Sequence, residues 1–104
     1  MIKIKIHQIN KDKDTNRVMF MNFDFTKKIQ GNDKIDREIY DEVFNGKIDC
    51  RNLEDVFMVF NRYHPKGYKG RSLSVSDVVE IIESKVEEPG FYFCDSFGFK
   101  KIDF

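Results

Sequence analysis

The chain has 104 residues, 40% of them hydrophobic and 35% charged, with eleven Phe and no Trp. That length holds one core and therefore one domain, and the apolar content excludes a disordered chain. Eighteen Lys and Arg balance eighteen Asp and Glu, which excludes the global field of a general nucleic-acid binder and leaves only a local patch for such contacts.

The opening MIKIKIHQIN interrupts its isoleucines with charge, unlike a secretory signal, and no window approaches the ~20 apolar residues of a membrane span. A cytoplasmic protein is expected. Cys50 and Cys94, the two cysteines, are too few for a zinc site of their own and are expected to stay reduced in a reducing cytosol.

Ile2, Ile4 and Ile6 alternate with Lys3, Lys5 and His7, the period of a strand with one buried face. Residues 11–16 are polar and break the pattern. Residues 17–25 resume it, with Val18, Phe20 and Asn22 on one face and Met19, Met21, Phe23 and Phe25 on the other. This predicts an N-terminal β-hairpin over 1–25, covered on both sides. A turn follows at Gly31-Asn32. Ile35, Ile39, Tyr40, Val43 and Phe44 then fit either a short helix or an extended segment ending at Asn45-Gly46.

Asn52 is a good N-cap for the next segment, where Leu53, Val56, Phe57 and Phe60 fall on one helical stripe behind Glu54 and Asp55. This helix is expected to end within residues 61–63. Pro65, Gly67 and Gly70 impose a loop, and residues 72–82 mix β-branched residues with serines. Residues 91–94 read as a strand with Phe91 and Phe93 on one face, and residues 96–99 as a tight turn into a last short strand. The predicted fold is α+β: one domain, 1–104, in which a small, mostly antiparallel β-sheet packs against one or two helices.

No catalytic constellation stands out. Ser72, Ser74 and Ser76 lie outside a G-x-S-x-G elbow, and the histidines are His7 and His64 alone. A Ser-His-Asp set built on His64 and Asp77, or His64 paired with Cys50 or Cys94, is the least poor arrangement, but both cysteines sit beside acidic residues that disfavour a thiolate. The acidic runs lack metal-ligand spacing, and Gly67 and Gly70 are not followed by a phosphate-loop Lys-Ser pair. We therefore expect no enzyme activity, no metal and no cofactor.

One polar feature is concentrated. Residues 62–71 hold four cations and two tyrosines among a proline and glycines. Arg62, Tyr63, His64, Lys66, Tyr68, Lys69 and Arg71 are the candidate binding residues, since cations interleaved with aromatics neutralise phosphates and stack on bases, or anchor on a protein. A solvated loop whose tyrosines pack on the core is the plainer reading. Phe97, Phe99 and Phe104 form a second candidate, an exposed aromatic patch at the C-terminus set against an ordinary core role.

Leu53-Glu54-Asp55-Val56-Phe57, Phe60-Asn61, His64-Pro65, the run from Gly70-Arg71-Ser72-Leu73 through Ser76-Asp77-Val78-Val79, and Phe91-Tyr92-Phe93-Cys94-Asp95-Ser96-Phe97-Gly98-Phe99 together resemble the YodL-like domain, over residues 50–104. The resemblance implies a protein of a phage, plasmid or conjugative element acting in a bacterial host cell. A small free-standing protein of this kind is similar to the anti-CRISPR inhibitors of type II systems. The partner so implied is Cas9 or its guide-RNA ribonucleoprotein, with direct contact to RNA as one mode, and neither a membrane nor a small-molecule substrate. The zero net charge disfavours a DNA mimic filling the heteroduplex channel, and points instead to guide loading or a conformational step. The alternative is an accessory nucleic-acid-binding or scaffolding module of a conjugative element.

Overall fold

Strand β1 (Ile2–Ile9) forms where the alternation places it, but at the interior of a sheet and not as one arm of a hairpin. The computed structural model describes all 104 residues, Met1–Phe104. Five strands run in the order β2-β1-β3-β4-β5, every neighbouring pair antiparallel. They are β1, β2 (Tyr40–Ile48), β3 (Val78–Glu83), β4 (Gly90–Cys94) and β5 (Phe99–Ile102). Two helices accompany them, α1 (Phe23–Gln30) and α2 (Leu53–Arg62). The α+β class and the single domain are as expected.

The alternation of β1 sorts the core into two halves. Ile2, Ile4 and Ile6 are at most 1% exposed and pack with Leu53, Val56 and Phe60 of α2. Each such burial contributes about 1.5–3 kcal/mol relative to exposure. Ile9 points the other way, into a smaller cluster with Val18, Phe23, Tyr40 and Phe93 on the α1 side. The adjacent Val78 and Val79 of β3 divide in the same manner, one to each cluster. The sheet is thus covered on both faces.

The predicted second arm of the hairpin does not exist. Residues 17–25 enter a turn and then α1, and β1 pairs with β2 and β3 instead. The physical reason is local. Asp14 accepts the Val18 and Met19 amides through its two carboxylate oxygens at 3.0 and 2.9 Å, folding the chain back on itself. Asn22 then caps α1 by accepting from the Phe25 amide at 2.8 Å, and Gly31, at φ 80°, closes the helix. Only Phe23 and Thr26 of α1 are buried, so the apolar alternation across 17–25 does not mark a buried strand.

Of the two open alternatives for residues 35–48 the extended one forms, as β2, but it runs on through Asn45-Gly46 to Ile48 instead of ending there, and a single 3-10 turn over Arg37–Ile39 precedes it. The register of β1 and β2 slips by one at Ile6/His7, which leaves Val43 as an extra, bulged residue. Helix α2 starts behind Asn52, whose side chain accepts the Asp55 amide at 2.9 Å, and has Tyr63 as its C-cap. Phe57 departs from the expected stripe and is 37% exposed.

Candidate macromolecule-binding loop

Residues 62–71 carry the chain from the end of α2 back across the sheet edge, and local chemistry sets their path. Beyond the C-cap, His64 takes a left-handed conformation at φ 42°, and Pro65 prevents a further helical turn. Pro65 to Tyr68 then form a turn in which the Tyr68 amide donates to the Pro65 carbonyl at 3.0 Å, with Gly67 at φ 86° supplying the third position that needs a glycine. The Lys69 amide donates to the carbonyl of the bulged Val43 at 3.0 Å, which fastens the loop to the edge strand β2.

Beneath the loop lies a buried polar network. Gln8, 2% exposed, accepts from the Arg71 amide at 3.1 Å, and its side-chain nitrogen lies 3.0 Å from each of the Arg71 carbonyl, the Tyr68 hydroxyl and Asp77 Oδ2. Asp77, fully buried, also accepts from the Ser74 amide at 2.7 Å and from the Arg71 guanidinium at 3.2 Å. The Tyr68 hydroxyl donates to the Arg71 carbonyl. Burial pushes the Asp77 carboxyl up to about 7, against the Ser74 amide, Arg71 and Gln8, which favour its charged form. Burial likewise raises the Tyr68 hydroxyl to about 12. The Arg71 guanidinium also stacks over the Phe20 ring, 4.9 Å from its centre. Phe20, at φ 68°, is fixed in turn by its amide donating to Ser76 Oγ at 2.9 Å.

The seven candidate residues therefore divide. Tyr68 and Arg71 are half-buried anchors, bound inward to Gln8 and Asp77. Arg62, Tyr63, His64, Lys66 and Lys69 face solvent. Arg62, Lys66 and Lys69 form no ion pair, and Tyr63 is 73% exposed. His64 Nε2 lies 3.3 Å from Ser72 Oγ, and its ring meets Tyr68 edge-on at 5.5 Å. Gln8 and Asp77 are the members that sequence reasoning passed over as binding-loop supports. A glutamine in the apolar alternation of β1 was the available signal.

The catalytic arrangements weighed from sequence fare differently. His64 meets Ser72, but the Asp77 oxygens are taken up by Ser74, Gln8 and Arg71, so no triad is assembled. Both cysteines are buried, which pushes the Cys50 thiol up to about 11 and the Cys94 thiol to about 12, far from the thiolate form at neutral pH. No three His, Cys, Asp or Glu side chains converge as a metal site would require. No helix is long and apolar enough to cross a membrane.

The C-terminal aromatics also separate. Phe104 packs on His7, Tyr40 and Phe91, while Phe99 meets Phe57. Phe97 alone is 98% exposed.

No curated protein and no solved structure matches the chain. The family model for the YodL-like domain matches residues 3–104, which extends the likeness beyond residues 50–104 to include β1, α1 and β2. The chain belongs to the YodL-like domain family.

Proposed function

We propose that this domain is a non-catalytic anti-defence inhibitor of a mobile element, and that it binds the guide-RNA complex of Cas9 through the outward side chains of residues 62–69. The observation that carries this reading is the division of the loop. Three unpaired cations and an exposed tyrosine ride on a loop whose backbone is fastened to Val43 at Lys69 and to buried Gln8 at Arg71. A loop ordered in advance loses little conformational entropy on binding, so its contacts count almost fully toward affinity.

Arg62, Lys66 and Lys69 offer phosphate contacts, and Tyr63 a stacking face, which suits an RNA backbone with splayed bases. The zero net charge favours such a local contact over mimicry of the DNA heteroduplex. The setting in phages, plasmids and conjugative elements implied by the family resemblance supplies the reason for a Cas9 target.

The test is cleavage of a matched DNA target by Cas9, with the domain added before or after guide RNA. Inhibition confined to addition before the guide indicates blocked loading, and inhibition in either order indicates a later step. The triple variant Arg62→Ala, Lys66→Ala, Lys69→Ala is expected to lose inhibition in both. No inhibition, together with RNA or DNA binding that falls steeply with salt in the absence of Cas9, would replace this reading with the nucleic-acid module of a conjugative element.

A further inference from the structure

The most exposed apolar side chain of the molecule is not on the cationic loop. Phe97 sits at the tip of the β4–β5 hairpin, 98% exposed. The tip is braced: the Asp95 amide donates to the Gly98 carbonyl at 2.9 Å, and Asp95 Oδ1 accepts from the Ser96 amide at 2.9 Å and from the Phe23 amide of α1 at 3.1 Å. Gly98, at φ 75°, completes the turn. A rigid turn thus holds a phenylalanine out into water, where its ring has no partner within the chain.

Two depressions flank this tip. A groove of about 280 Å³ lies toward α2 and is lined by Glu54, Phe57, Asp95, Ser96 and Phe99 among others. The second lies toward the start of α1, with Asn22, Asp24, Asp95, Ser96 and Phe97 in its walls. They share Asp95 and Ser96, so they form one continuous surface around the hairpin. Phe57, Phe97 and Phe99 are its aromatic members, and every charged side chain lining it is acidic: Glu54, Asp95 and Asp24.

We propose that the β4–β5 tip and the groove beside α2 form a docking site for a protein segment that carries Lys or Arg around a large apolar side chain. Charge complementarity selects the occupant. The acidic rim repels nucleic acid and acidic peptides and attracts cations, while Phe97 and the half-exposed Phe57 offer the apolar contact that cations alone would not need. This site is separate from the 62–69 loop and does not depend on what that loop binds. The net charge of zero therefore conceals two opposed patches, a cationic loop and an acidic, aromatic tip.

The test uses three synthetic peptides of equal length, one alternating Lys and Leu, one alternating Lys and Ser, and one alternating Glu and Leu, each titrated into the isotope-labelled full chain. The Lys/Leu peptide is expected to move the amides of residues 54–57 and 94–99, and the other two to leave them in place. Phe97→Ser should weaken that binding by about tenfold, the effect of losing a central aromatic anchor, with an unchanged melting temperature because the ring touches no core. Glu54→Gln should weaken it and flatten its salt dependence, and the Arg62, Lys66, Lys69 triple alanine variant should bind as wild type. Unchanged affinity in Phe97→Ser, or shifts that map elsewhere, would overturn the proposal. So would Phe97-dependent dimerisation without peptide binding, which would give the surface to a second copy of the chain.

Discussion

Gln8 and Arg71 lie 63 residues apart in sequence, and they exchange two hydrogen bonds: the Arg71 amide donates to Gln8 Oε1 at 3.1 Å, and Gln8 Nε2 donates to the Arg71 carbonyl at 3.0 Å. The side-chain amide of a central strand thus pairs with the backbone of the loop as a neighbouring strand would. This satisfies polar groups that burial would otherwise leave costly.

Replacing that amide exposes its role. Gln8→Leu keeps the volume and apolar character of β1 but leaves the Arg71 amide and the Asp77 carboxylate short of partners. The expected loss is about 1–3 kcal/mol, read as a lower denaturant midpoint. Amide exchange should accelerate at residues 69–77 before the rest of the sheet.

Gly70 sits tightly against the same amide. A Cβ there would lie 2.2 Å from Gln8 Oε1 and 2.9 Å from Val43 Cγ2, and the Gln8 oxygen cannot retreat without releasing Arg71. Gly70→Ala is expected to destabilise by about 1–3 kcal/mol through overpacking. Gly67→Ala meets nothing within 4 Å and carries only the strain of φ 86°, about 1–2 kcal/mol. Because a Cβ at Gly67 touches none of the network, Gly67→Ala should raise amide exchange at residues 71–77 less than Gly70→Ala does.

Display and anchoring separate by mutation. Arg62→Ala, Lys66→Ala and Lys69→Ala should each leave stability within about 0.5 kcal/mol, as exposed substitutions do. Arg71→Ala removes the ion pair at 3.2 Å and the stack over Phe20, and should destabilise by about 1–3 kcal/mol. Equal thermal shifts in all four would contradict this division.

Two buried groups make stability depend on pH with opposite signs. Burial holds the His7 imidazole below its ordinary 6.5, outweighing Glu80 at 3.1 Å, with Glu42 and Arg37 facing the same ring. The unfolded chain then takes the proton first, so this contribution is intact above 6.5 and is lost as pH falls through the lower folded value. Asp77 runs the other way. Its folded value of about 7 against 3.8 means that its contribution is present in acid and lost as pH rises between the two. In His7→Gln, stability should therefore fall with rising pH across that window, by at most about 1.4 kcal/mol per pH unit for one proton. A carboxyl carbon resonance of Asp77 that titrates below its ordinary value would refute the assignment.

Elements governed by local chemistry were legible in the sequence. The isoleucine alternation gave β1, and Asn52 with the Leu53, Val56, Phe60 spacing gave α2 to within a residue. The strand at residues 91–94 and the turn after it follow from Phe91 and Phe93 sharing a face and from Gly98. The apolar alternation across 17–25 suggests a strand, but capping overrides it. Asn22, Asp24 and Gly31 spell a helix start and stop in the same stretch.

Legible in the sequence are therefore the elements with a local signature, the apolar alternation of β1 and of residues 91–94 and the cap and stripe of α2, together with a loop rich in cations and tyrosine. The tertiary structure alone decided that β1 lies between β2 and β3, that Tyr68 and Arg71 turn inward while Arg62, Lys66 and Lys69 stay out, and that Phe97 stands in water. The reason is that each of these depends on partners far away in the chain. Gln8 and Asp77 are 69 residues apart, and no local pattern tells a buried carboxylate from a solvated one until the sheet brings its partners together.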